Sequence, residues 1–66
     1  MALGDAVQIA MASYQLVYPD APYEWLEKAA KETLYWSARV NNPTLEQMEA
    51  HEARIRHMCT TGEWNV

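Results

Sequence analysis

Cysteine is almost absent from this chain. Cys59 is the single thiol among 66 residues, so no disulfide forms within it. Folding a chain of this size buries only roughly 60% of the surface that it exposes unfolded. Below about 70–80 residues a single core is marginal, and disulfides, a metal, oligomerisation or very regular helix packing usually supplement it. Glycine is nearly as scarce: Gly4 and Gly62 are isolated, so no glycine-rich loop is present to cradle a phosphate. No run reaches the ~20 apolar residues of a bilayer span. The least charged stretch, residues 2–18, carries only Asp5 as an ionised side chain but is broken by Gln8, Ser13 and Gln15. No signal-peptide pattern, internal repeat, low-complexity tract or linker is visible. With the lone thiol, this sets the expectation of one small domain over residues 1–66 in a reducing, cytoplasmic setting.

Basic charge is also in short supply. Five Lys/Arg stand against nine Asp/Glu, for a net charge of −4. A duplex binder draws most of its affinity from bases that neutralise phosphates, so nucleic acid is not the expected partner. A helix-turn-helix regulator would read bases from the N-terminal part of its second helix. Here that part offers Glu46, Gln47, Glu49 and Glu52, which phosphates repel. A DNA-binding helix-turn-helix regulator is therefore only a weaker, third alternative.

What is present reads as helix throughout. Residues 2–18 are rich in Ala, Leu, Met and Gln, all good helix formers. At the 3, 4, 7 spacing, Leu3, Val7, Ala10, Met11, Tyr14, Val17 and Tyr18 share one face. Ile9, Ala12 and Leu16 fall nearly opposite. A helix apolar on two sides is normally buried on two sides, and a small monomer can cover one of them. Tyr18-Pro19-Asp20-Ala21-Pro22 ends this helix, with Asp20 the expected cap of the next. A second helix is expected over 21–40. Trp25, Leu26, Ala29, Ala30, Thr33 and Trp36 lie on its inward arc, and Glu24, Glu27, Lys28, Lys31, Glu32, Tyr35 and Arg39 on a solvated face. Asn41-Asn42-Pro43 then punctuates the chain. Asn41 is expected as the left-handed residue, Asn42 as N-cap and Pro43 as first position of a helix over 43–60. Its apolar stripe, Leu45, Met48, Ile55, Met58 and Cys59, is thin, with His51 and Glu52 filling the gap. Gly62 is the expected stop, and Trp64 in the tail 61–66 is placed to fold back on the last turn.

One run invites a metal reading, His51–Cys59. Ligands on a helix share a face at i,i+3 or i,i+4, as in H-E-x-x-H. His51 and His57 are six apart, about 120° around the helix, and Cys59 is roughly 12 Å along the axis from His51. No metal or other cofactor is therefore expected. Nucleophilic catalysis would need Cys59 beside a base held by a third group, and His57 points elsewhere, so Cys59 reads as a core residue. The chain is not expected to be an enzyme. His51 is expected at the core edge, hydrogen-bonded to a neighbour, with Glu52 paired to Arg56.

The expected fold is all-α: a hairpin of helices 1 and 2 plus a third helix, completed by homodimerisation. In length, acidity and aromatic content the chain is similar to small accessory proteins of bacteria and their phages. That likeness implies a protein that binds and blocks a partner. The function expected is a non-catalytic protein-interaction module, an inhibitor or adaptor acting by occlusion. The alternative is a structural or assembly subunit of a larger complex or virion. The candidate dimer and partner interface is Ile9, Met11, Leu16, Trp25, Tyr35, Trp36, Arg39 and Trp64, chosen for surplus apolar surface and for aromatic and Arg types common at interface hot spots.

Overall fold

Two proline-marked corners cut the chain into helices. The computed structural model describes residues 3–63, of Leu3 the backbone alone, and within them places α1 (Leu3–Val17), α2 (Tyr23–Arg39) and α3 (Leu45–Thr61). The all-α architecture follows. Trp64 lies outside the described residues.

The corners differ in detail from the pattern of residue types. Tyr18–Ala21 forms a turn in which the Ala21 N–H donates to the Tyr18 carbonyl at 3.1 Å, with Pro19 and Asp20 at its centre. Ala21 precedes a proline and is held out of the helical region. Pro22, extended at φ −60, ψ 151, is the N-cap of α2, with no side-chain cap hydrogen bond. Asp20 thus belongs to the turn and caps nothing, and α2 opens at Tyr23, two residues later than expected. At the second corner Val40 is the C-cap of α2, its N–H bonded to the Trp36 carbonyl at 2.9 Å. Asn42, not Asn41, takes the left-handed conformation, at φ 49. The N-cap of α3 is Thr44, not Asn42, and Pro43 stands before the cap instead of inside the first turn. The reason is a capping box. Thr44 Oγ1 accepts from the Gln47 N–H at 3.1 Å, while Gln47 Oε1 accepts from the Thr44 N–H at 2.9 Å. Two otherwise orphaned donors are satisfied at once, which a lone Asn cap does not achieve.

The core draws on all three helices: Val7 and Met11 from α1, Leu26, Ala29 and Ala30 from α2, Ile55, Met58 and Cys59 from α3. Ala29 and Ala30 are wholly buried. Neighbours in sequence point about 100° apart on a helix, so α2 is covered on more than one side and forms the middle of the molecule. α3 packs on the chain's own hairpin. Glu32 of α2 reinforces this by pairing with Arg54 of α3 at 3.6 Å and with Arg39 at 3.3 Å. The result is a slab of 31 × 29 × 19 Å. With helices ~10 Å across, its thin dimension holds two layers, and no third layer lies outside α1.

Gly62 closes α3 in the left-handed conformation at φ 76, its N–H bonded to the Met58 carbonyl at 2.8 Å. A Cβ there would lie 2.5–2.8 Å from the Trp25 indole, so glycine is required by backbone and packing together. Gly62→Ala is expected to cost roughly 1–2 kcal/mol for the left-handed backbone, plus the displacement of Trp25. Thr44→Ala is expected to cost about 1 kcal/mol, and Asp20→Ala less than ~0.5 kcal/mol. Urea unfolding followed by far-ultraviolet circular dichroism checks the order. Equal losses at Thr44 and Asp20 would contradict the corner geometry.

Candidate functional site

A polar chain crosses the slab. Tyr14 of α1 faces Thr33 of α2, with Oη 2.6 Å from Oγ1, and Thr33 Oγ1 is 3.0 Å from Nε2 of His51 on α3. The His51 ring also stacks on Trp36, with centroids 4.3 Å apart and planes 9° from parallel. One hydroxyl in the central helix thereby joins its two neighbours. Buried polar groups need partners, and Thr33 on an inward arc and His51 on an apolar stripe are each other's answer. His51 is 8% exposed, and its Nδ1 has no hydrogen-bond partner among the described residues. Whichever tautomer the ring adopts, one nitrogen is occupied and the other is not.

The electrostatics favour neutral forms. Burial pushes the His51 pKa below its ordinary 6.5, Arg54 adds to the effect, and Glu32 opposes it. Burial raises the Tyr14 pKa, against a lowering contribution from the Thr33 hydrogen bond. Burial also raises that of the Cys59 thiol, which disfavours the reactive thiolate. Among the described residues, no three His, Cys, Asp or Glu side chains converge as metal ligands. The Tyr14–Thr33–His51 chain joins helices, and among the described residues no carboxylate bonds the His51 Nδ1.

The residues singled out as an interface fall into different environments. Met11 is core, 5% exposed, because it sits four residues after Val7 on the inward face of α1. Trp25 is half-buried against Gly62, and Trp36 is half-buried against His51. Arg39 is exposed but holds Glu32. Tyr35 is exposed beside Lys28, Lys31 and Glu32. Ile9 and Leu16, by contrast, face solvent, 59% and 87% exposed. Between them the Ser13 hydroxyl donates to the Ile9 carbonyl at 3.2 Å, and exposed Asp5 stands one turn before Ile9 on the same face. Val17 differs from expectation. It is 67% exposed, because α1 ends there and α3 does not close over it.

Residue types alone do not reveal the opening this leaves. A cleft of about 260 Å³ lies between the C-terminal turn of α1 and the first half of α3. Tyr14, Val17 and Tyr18 form one wall, Met48, His51, Glu52 and Ile55 the other, and Trp36 of α2 also lines it. Pockets for drug-sized ligands run ~300–1,000 Å³, so this one is scaled to single side chains. The sequence signal for it is the gap in the α3 stripe between Met48 and Ile55.

Because the neutral ring is favoured in the fold, His51 contributes stability that is complete above its ordinary pKa of 6.5. That contribution is lost as pH falls below this value, where the unfolded chain takes up a proton more readily than the folded one. Urea midpoints are expected to drop between pH 7 and pH 5, and the drop is expected to shrink in His51→Gln. Thr33→Val, which strands Tyr14 and His51 together, is expected to cost about 1–3 kcal/mol at pH 7. A Thr33→Val variant as stable as the parent would remove the polar chain from the account of stability.

No helix of the described residues is long and apolar enough to cross a membrane. Comparison of the chain with family models, curated proteins and solved structures returns no match.

Proposed function

We propose that the chain is a non-catalytic protein-interaction module, a small homodimeric helical inhibitor or adaptor that covers a functional face of a partner protein. One observation carries this reading: the outer face of α1, with Ile9 and Leu16 largely exposed, stays uncovered in the folded chain. Single exposed apolar residues are common. Here two large ones are joined by Ala12 on one helix face, whose single charge, Asp5, stands a turn before Ile9, and Val17 follows directly. Such a face loses water favourably against a complementary surface. Preformed helices bind without a large ordering cost, which suits occlusion by a rigid surface.

A second reading, an assembly subunit of a larger complex, draws on a different observation. Leu45 and Met48 expose apolar surface at the start of α3, away from Ile9. Exposed apolar residues on a second helix, across the cleft from Val17, would support head-to-tail contacts that propagate beyond a dimer.

At micromolar concentration, light scattering is expected to give twice the 7.6 kDa chain mass. The Ile9→Glu/Leu16→Glu variant is expected to give that mass once, with its helical dichroism unchanged. A monomeric parent chain sinks the homodimer, and species larger than a dimer favour the assembly role. Affinity capture on the immobilised chain is expected to retain one protein in stoichiometric amount, and a bare column counts against the inhibitor.

A further inference from the structure

The cleft between α1 and α3 combines three properties. Its walls are aromatic and aliphatic, chiefly Tyr14, Tyr18, Trp36, Met48 and Ile55. Its one formally charged lining residue is acidic, Glu52. Its surroundings carry both signs: Arg54 and Arg39 act on His51 from one side, while the α1 end and the start of α3 are acidic or without bases. α1 has no Lys or Arg and ends in a turn without a base, so the partial negative charge of its C-terminus stands uncompensated. From Pro43 to Ala53 the chain carries Glu46, Glu49 and Glu52 and no Lys or Arg. Arg54, the first base of α3, lies 3.6 Å from Glu32.

Aromatic walls with a carboxylate at the rim attract cations twice, through ring faces and through direct charge. Aliphatic walls accept the methylene stem that carries such a cation. Arginine meets both demands better than lysine, since its planar guanidinium stacks on rings, pairs with carboxylates side-on and is less strongly hydrated. The size agrees, because the cleft is smaller than a cofactor pocket and fits one long side chain. Val17 and Met48, exposed beside it, offer contacts to apolar residues a turn away on the segment that brings the arginine.

We propose that this cleft is the docking site for an arginine-bearing amphipathic helix of the partner protein, with the arginine stem among Tyr14, Tyr18 and Met48 and its guanidinium on Glu52. The identification of the occupant as protein rests on the reading of the chain as an interaction module; the preference for a cation rests on the cleft alone. In the free chain Arg56 holds Glu52 at 3.6 Å with both side chains exposed. Such surface pairs are weak, so an incoming guanidinium displaces Arg56 at little cost.

The test uses two synthetic peptides of about four helical turns, leucine on one face and arginine on the other, the second with glutamate in place of arginine. Titration of the labelled full chain is followed by two-dimensional nuclear magnetic resonance. The arginine peptide is expected to shift the Trp36 indole and the Met48, Glu52 and Ile55 amides, and to bind more weakly as salt rises. The glutamate peptide is expected to bind at least about tenfold more weakly. Glu52→Lys, at an exposed position that leaves the fold intact, is expected to weaken the arginine peptide by about tenfold. Equal binding of the two peptides, shifts confined to Ile9 and Leu16, or indifference to Glu52→Lys overturns the proposal. The same titration on Ile9→Glu/Leu16→Glu separates the two readings. Retained binding by that monomer supports the cleft whatever becomes of the homodimer, whereas a dimeric parent that ignores the arginine peptide overturns the cleft alone.

Discussion

Two adjacent alanines in α2 govern the arrangement of the rest. Ala29 and Ala30 are wholly buried, and their directions differ by about 100°, so α2 has to be covered on two sides by close-packed neighbours. A larger residue at either position would hold α1 or α3 away and open voids that cores tolerate poorly. With α2 committed to the middle, α1 has one neighbour instead of two. Its inner face, through Val7 and Met11, joins the core, and the opposite face has nothing to meet in a slab two layers thick. The uncovered Ile9–Leu16 surface is thus a geometric result of small residues elsewhere, and not a local feature of α1.

The same placement produces the cleft. α1 and α3 lie on a shared central helix, and a gap opens between them beside the last turn of α1. Side chains from both helices and from Trp36 of α2 line the gap. The Tyr14–Thr33–His51 chain runs beside it and uses short, stiff groups where apolar contact is thin. Glu32, with Arg39 and Arg54 about it, provides a second tie between α2 and α3. Few apolar residues of α3 are buried before Ile55, so polar contacts carry more of the docking there than further along the helix.

The three helices and their proline-marked corners were legible from residue types, because proline constrains its own φ and its predecessor locally. The caps were less so. Asn42-Pro43 has the composition of a helix start, yet Thr44 and Gln47 form a reciprocal pair that outweighs a single side-chain acceptor. The capping-box spacing from Thr44 to Gln47 was present to be read. Periodicity placed Met11 on the inward face, where it is buried, and placed Val17 on the same arc. Periodicity records direction around one helix and not how far a neighbouring helix extends, which is why Val17 and the cleft beside it escape it. His51 was legible as a polar residue needing a partner; that the partner is Thr33 depended on the crossing of two helices.

The spacing of the polar chain bears on how the molecule assembles. Tyr14 and Thr33 are 19 residues apart, and Thr33 and His51 are 18 apart, so each link spans one helix and one corner. The links are laid end to end, and neither hydrogen bond waits on a long loop. Chains built from such near-neighbour pairings have low contact order and fold within microseconds to milliseconds. A chain assembled in this way passes quickly through the states in which its sparsely charged first helix is bare.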